Sequence, residues 1–267
     1  MLPDYHWHTA RCGHATGEME QYVRAAKARG LKEVGFADHI PMYWLGEKAA
    51  DPSLAMGFAD LPVYINDVML LRVKHPDLRL RLGLEVDYIP GQENRAKEII
   101  SKYDFDYIIG SVHYLNGWGF DDPRLAHRYS DLDIREIYCT YFHELVSSAL
   151  CGIFDIIAHP DLIKKFGHRP EHEPLDLYRQ AAKAFADAGV CMEVNTAGLR
   201  NPAGEIYPSF EFLKICREYN VPVATGSDAH KPGQVGADFD LARQLLVEAG
   251  YNQVAVFEGR RRIFINI

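Results

Sequence analysis

The chain has 267 residues, 48% of them hydrophobic, enough for one large core or two modest domains. Its formal charge of −8 argues against a sequence-independent nucleic-acid face, which shows as a basic excess. No apolar run approaches the roughly 18–20 residues of a membrane span, and the N-terminus lacks the basic-then-apolar layout of a signal peptide. The five cysteines (Cys12, Cys139, Cys151, Cys191, Cys216) are odd in number and form no CxxC pair. Neither a disulfide framework nor a zinc ribbon is indicated, and a cytoplasmic location is expected. Twelve histidines are the one compositional excess that asks for an explanation.

In chain order, Asp4–His6 reads as a first strand. In Gly17–Arg29, Met19, Tyr22, Val23 and Ala26 repeat at i, i+3, i+4, i+7 behind a Thr16 cap, which predicts a helix. Strands follow at Glu33–Ala37, Arg79–Glu85, Tyr107–Ser111, Asp155–Ala158, Val190–Val194 and Val221–Thr225. Helices separate them or follow them at Leu61–Lys74, Gln92–Lys102, Ile134–Ser148, Leu175–Ala188, Ser209–Glu218 and Phe239–Ala249. Gly30, Gly189 and Gly250 stand where helices should stop. Arg260-Arg261-Arg262 is the sole basic run and reads as a solvated helix end or turn. No repeat, low-complexity tract or linker divides the chain, so residues 1–267 are read as a single domain. Strand–helix alternation predicts an α/β fold, a parallel (β/α) barrel ahead of an open doubly wound sheet. The latter usually places a Gly-rich loop after its first strand, and here His6-Trp7-His8 stands there.

Placed on these strands, the histidines sort themselves. His6 and His8 end strand one, with His14 in the loop behind. His39 follows strand two, Glu85 ends strand three, His113 follows strand four and His159 strand five. Asp228 and His230 follow strand seven; strand six lacks such a group and presents Asn195 and Thr196. In a parallel barrel the C-terminal strand ends share one face, where active sites form. Side chains two apart on a strand point the same way, so His6 and His8 can chelate one ion while Trp7 faces the wall. A lone HxH is weak, Glu85 alone could be a strand-end charge and Asp228 a helix cap. Their joint placement carries the argument. Imidazole and carboxylate oxygen suit zinc, manganese or iron, and nine ligands imply two or three divalent ions with a bridging carboxylate. His-Pro-Asp occurs twice and serves as a control: His75 precedes a strand and belongs to the surface, whereas His159 follows one and belongs to the metal site. His127, His143, His168 and His172 read as structural or solvated, the last two with least force because their loop follows strand five.

These residues resemble the polymerase and histidinol phosphatase (PHP) family, whose motifs read here as His6-x-His8, His14, Asp38-His39, Glu85, His113, His159 and Asp228-x-His230. Within it, "HTARCGHA" and "NTAGLR" resemble the stand-alone histidinol-phosphate phosphatases of histidine biosynthesis. The resemblance implies a distorted, TIM-like seven-stranded barrel and a trinuclear centre. By motif position His6, His8, Glu85 and Asp228 would hold one ion, Glu85, His113 and His159 a second, and His14, His39 and His230 a third.

Phosphate-monoester hydrolysis needs charge stabilisation and an in-line nucleophile, which two neighbouring ions can provide. The expected attack is direct, by a metal-bridging hydroxide held by Glu85 and Asp228, with no phosphoenzyme: neither a CxxxxxR loop nor a DxDx[TV] stretch is present. Arg200, after strand six, is the first candidate for the substrate phosphate, Lys164 and Lys165 are second choices, and Asn195 lies nearby. Asp161 or a water would protonate the leaving group. The partner expected is a small phosphomonoester, with neither nucleic acid nor membrane. Alternatives are a PHP phosphoesterase of other specificity, such as a protein-tyrosine phosphatase, a PHP exonuclease or polymerase-associated module, and an amidohydrolase-type deaminase. The deaminase would use a lysine where His113 stands.

Overall fold

A computed structural model describes the backbone of residues 1–267 and every side chain except that of Glu47. Six parallel strands lie side by side in sequence order: β1 (Glu33–Phe36), β2 (Arg79–Asp87), β3 (Tyr107–Ser111), β6 (Ile156–Ile157), β7 (Cys191–Asn195) and β8 (Val223–Gly226). Two further strands, β4 (Tyr114–Leu115) and β5 (Trp118–Gly119), form a small hairpin after β3. The opening segment closes the barrel without forming a regular strand. Asp4 bridges Val34, and Trp7 bridges Ala229 on the far side. Gly35 donates its N–H to the Asp4 carbonyl at 2.8 Å, while Tyr5 donates to that of Thr225 at 3.0 Å. The seventh stave is therefore irregular, and the structure is a distorted TIM-like barrel.

Helices α1 (Met19–Ala28), α2 (Asp60–Lys74), α3 (Glu93–Ile100), α4 (Ile134–Leu150), α5 (Leu175–Ala188), α6 (Phe210–Glu218) and α7 (Phe239–Glu248) match the predicted helices within a few residues. The cap of α1 differs: Glu18, not Thr16, precedes the first turn and exchanges hydrogen bonds with Gln21 in a capping box. Ser209 caps α6 through the N–H of Phe212. Among the described residues no helix is long and apolar enough to cross a membrane.

Apolar side chains between helices and strands form the main core, and a second cluster fills the barrel interior around Tyr5, Tyr107 and Ile109. Tyr107 fits inside because Gly35 and Gly83 are bare: a Cβ at either would lie 2.2–2.3 Å from its ring or hydroxyl. Of the two readings of the C-terminal arginines, the solvated turn holds at Arg260 and the helix end does not. Gly259 and Arg260 form a turn with φ of 54° and 62°, and Arg261 starts a strand instead of ending a helix. The resulting hairpin of β9 (Gln253–Glu258) and β10 (Arg261–Asn266) is tied to the barrel by Phe257, whose N–H donates to Tyr5 Oη at 3.0 Å. Arg260 pairs with Asp155 at 2.8 Å and Arg262 donates to the Gly189 carbonyl. Turn geometry and these distant acceptors, rather than helix periodicity, determine the segment.

Candidate metal centre

Each strand delivers its ligand through local rules. Trp7 is fully buried, edge-on to Phe36, so the alternation of an extended chain turns His6 and His8 toward the barrel mouth. Glu85 sits two residues before the end of β2 and bridges His39, which extends the line of β1. His113 and Asp228 stand two residues beyond β3 and β8, as His159 does beyond β6. His159 and Asp228 adopt φ of 25° and 51°, a conformation that non-glycine residues rarely hold and that clusters at functional sites. His14 arrives on the turn after Ala10–Cys12. All nine sequence-derived ligand residues meet at the C-terminal strand ends, and all but His6, which lies beneath, line a cleft of about 800 Å³.

Glu85 is the centre of the cluster. Its Oε2 faces His6 Nε2 at 3.3 Å, His8 Nε2 at 3.5 Å and His39 Nδ1 at 3.0 Å. Its Oε1 faces His159 Nε2 at 3.2 Å and His113 Nε2 at 3.7 Å, and accepts from Ser111 Oγ at 2.7 Å. Asp228 Oδ1 lies 3.1 Å from His8 Nε2 and 4.0 Å from His6 Nε2. His14 Nδ1 lies 3.0 Å from the carbonyls of Cys12 and Ser53, and His230 Nδ1 lies 3.1 Å from that of Asp228. A nitrogen facing a carbonyl oxygen must carry the proton, which leaves Nε2 of both rings as a free lone pair.

The donor set fits divalent metal. His6 Nε2, Glu85 Oε2 and Asp228 Oδ1 are buried without a hydrogen-bond partner, a costly arrangement for lone pairs that nothing neutralises. Ligand atoms of His6, His8 and Asp228 lie within 4.8 Å of one another, and so do those of His8, His39 and His230. The electrostatics agree. Burial disfavours charge on His6, but Glu193, Glu85 and Asp228 outweigh it and hold the ring well above the ordinary histidine range. Burial would likewise raise Glu85 and Asp228, yet the surrounding imidazoles hold both carboxylates far below their usual range. His39 and His230 are driven well down, chiefly by burial. His113 is lifted to about 9, burial being overcome by Asp121 and Asp87. A site so polarised between acids and imidazoles is built for cations.

Three acids behind the ligands escaped the sequence argument as site residues. Glu193 in β7 lies 2.7 Å from His6 Nδ1, Asp87 2.8 Å from His113 Nδ1, and Asp38 3.4 Å from His8 Nδ1. Glu193 had a signal: it is an acid inside the apolar run "VCMEV", on the strand assigned no ligand. Asp87 carries the same signal two residues beyond Glu85.

The substrate-binding residues divide. Arg200 and Lys165 line the cleft. Arg200 Nη2 donates to the carbonyls of Ser227 (2.5 Å) and Asp228 (3.2 Å), and Lys165 Nζ pairs with Asp121 at 3.1 Å. Asp161 and Lys164 do not face it. They form a buried pair at 2.6 Å, with Lys164 also on Glu205 at 2.9 Å and the Asp161 carboxylate accepting from Ser209 N. Burial pushes Asp161 up to about 6 against the pull of Lys164. The turn after His159 points both side chains into the protein, an orientation that strand order does not disclose. Asn195 is buried and donates to Glu193 (2.9 Å) and, at 3.4 Å, to Asp228, so it supports ligands. His75 pairs with Glu20 at 3.0 Å far from the site, and His168 stacks on Tyr129 at 4.5 Å. His127, His143 and His172 are exposed.

Comparison with known proteins agrees with this geometry. The PHP domain model matches residues 4–197 and a PHP-associated model residues 211–237. A "Probable histidinol-phosphatase" of Deinococcus radiodurans is 40% identical over 251 residues, covering 93% of this chain and 94% of that protein. A "Histidinol-phosphatase" of Bacillus subtilis is 29% identical, covering 89% and 96%. The crystal structure of histidinol phosphate phosphatase from Lactococcus lactis, complexed with zinc, L-histidinol and phosphate, shares the fold with a TM-score of 0.85 over 98% of each chain, at 20% identity. With a domain match spanning more than half its length and a relative at 40% identity over nearly all of it, the chain belongs to the PHP family.

Proposed function

We infer that the chain is a metal-dependent phosphate-monoester hydrolase that converts L-histidinol phosphate and water to L-histidinol and phosphate, a step of histidine biosynthesis. The observation that carries the hydrolase reading is Glu85, whose two oxygens face separate histidine groups, His6 with His8 and His113 with His159. A carboxylate so placed would be shared by two ions, were both bound. The substrate reading is supported by the histidinol-phosphatase relatives that match along nearly the whole chain.

His6, His8, Glu85 and Asp228 would hold one ion, Glu85, His113 and His159 a second, and His14, His39 and His230 a third, of zinc, iron or manganese. Ions bound there supply positive charge to the phosphoryl oxygens and acidify water. The protein's own part is positioning. Ser111 fixes one oxygen of Glu85, Asn195 and Arg200 hold the loop that carries Asp228, and Arg200 and Lys165 present cations to a dianionic phosphate on the open side. Phosphoryl transfer goes directly to water. No cysteine lines the cleft among the described residues, and the Cys12 thiol is buried and donates to the Thr9 carbonyl. The leaving alcohol takes its proton from water, since Asp161 is committed to its buried pair.

The test is a phosphatase assay with histidinol phosphate and phosphotyrosine side by side, on protein of measured metal content. A large preference for histidinol phosphate is expected. Equal or greater turnover of phosphotyrosine would make the chain a PHP phosphatase of other specificity, and activity on a deaminase substrate alone would reverse the class.

A further inference from the structure

Glu193 lies on β7, the barrel strand that supplies no ligand, yet it contacts two ligand residues directly, His6 and His159. Its Oε1 lies 2.7 Å from His6 Nδ1. Its Oε2 accepts from the backbone N–H of His159 at 2.9 Å and from Asn195 Nδ2 at 2.9 Å, and Asn195 in turn reaches Asp228. Glu193 is 1% exposed, and the backbone of β8 has been cleared for it: a Cβ on Gly226 would lie 2.1 Å from Glu193 Oε1. Three donors converge on one acceptor-only group: His6 and His159 belong to ligand-bearing segments, and Asn195, two residues along β7, reaches Asp228.

We propose that Glu193 is a positioning residue that fixes His6 as the Nδ1–H tautomer and thereby sets the affinity of the ion held at His6, while pinning the turn of His159 and, through Asn195, Asp228. A metal-ligating imidazole whose second nitrogen donates to a carboxylate is oriented and made more basic by it, and loss of such a partner costs about 10–100-fold in metal affinity. Glutamine is the informative replacement because it keeps the shape and changes one atom's role. With its carbonyl on the His159 N–H and Asn195 Nδ2, its amide –NH2 must face His6 Nδ1, which then becomes the acceptor. The proton moves to Nε2, the nitrogen aimed at Glu85.

The inference rests on the metal-centre reading but not on the identity of the substrate, so its test reads metal and protons. In long-range 1H–15N spectra of the zinc-loaded full chain, where an ion at Nε2 leaves the ring a single proton, His6 should appear as Nδ1–H in the wild type and lose that signal in Glu193→Gln. Competition with a chromophoric zinc chelator should show one equivalent released about 10–100-fold more readily from Glu193→Gln, the others staying as in the wild type. A wild-type His6 protonated at Nε2 would overturn the proposal without any variant. So would unchanged zinc affinity in Glu193→Gln, or an equal loss of every equivalent. A failed histidinol phosphate assay with these metal results intact would remove the substrate reading and leave the role of Glu193 standing.

Discussion

Arg200 divides its guanidinium between two tasks. Nη2 is spent on the carbonyls of Ser227 and Asp228, and the residue also borders the open cleft. Arg200→Ala therefore slackens the loop that carries Asp228 and, on the proposed reading, would also remove a phosphate contact. Losing a charged hydrogen bond of about 1.5–3 kcal/mol predicts a fall in kcat/KM of roughly 10–100-fold. Lower metal content in the same preparation should accompany it, measured by elemental analysis; full metal content with unchanged kinetics would remove Arg200 from both tasks. The Asp161–Lys164 pair predicts the opposite division between activity and stability. Lys164→Met leaves a buried carboxylate without its cation, a loss of about 3–5 kcal/mol. On a domain of this size that lowers Tm by on the order of 10 °C. Were Asp161 the proton donor to the leaving group, Asp161→Asn would abolish turnover; the structure predicts that it weakens thermal stability first, and calorimetry beside kinetics separates the two.

The elements that hold these residues were unequally visible beforehand, for identifiable reasons. Helices and buried parallel strands advertise themselves by apolar period, so the ligands at strand ends could be placed in order around one rim. The closing stave had its extent in the sequence but not its irregularity, because its pairing with Val34 and Ala229 depends on both edges of the sheet meeting. Glu193 and Asp87 were missed because a buried acid within a strand has meaning only once its imidazole partner is known. The β9–β10 strands were missed because the exposed arginines read as a helix end or turn, and nothing local shows the partners, Asp155 and the Gly189 carbonyl, that Arg260 and Arg262 reach. Between α1 and α2, tertiary contacts leave a pH signature. Glu20 accepts from Lys74 Nζ at 2.9 Å and faces His75 at 3.0 Å, and Lys74 followed by His75 draws its pKa from 4.5 to about 2. A carboxylate depressed in the folded state stabilises above its unfolded pKa and loses that contribution as pH falls through the folded one. The stability difference between wild type and Glu20→Gln, from denaturant titrations, should shrink as pH drops from about 4.5 to 2. A difference independent of pH across that window would mean that the clamp is not formed in solution.

At the scale of the molecule, the barrel closes around a buried cluster of acids and imidazoles that bound cations would neutralise. His6, His8, Glu85 and His159 are essentially buried, and His6 Nε2, Glu85 Oε2 and Asp228 Oδ1 find no hydrogen-bond partner. Those ligands come from segments as far apart in the chain as His6 and Asp228, so the site exists only when the whole barrel has closed. Binding to the folded state alone then feeds directly into global stability. An ion at 100 times its Kd adds about 2.7 kcal/mol, and each kcal/mol raises Tm by about 2–4 °C in a domain of this size. Removing metal with a chelator should therefore lower Tm by roughly 5–10 °C for the first tight ion, and re-addition of zinc should restore it in a concentration-dependent way. Double substitution His6→Ala with His8→Ala should abolish most of that zinc response, since it empties the ion whose ligands join the first stave to β2 and to the loop after β8. A Tm insensitive to chelator and zinc in the wild type would show that the cluster satisfies itself through protonated imidazoles instead, and the metal-centre reading would fall with it.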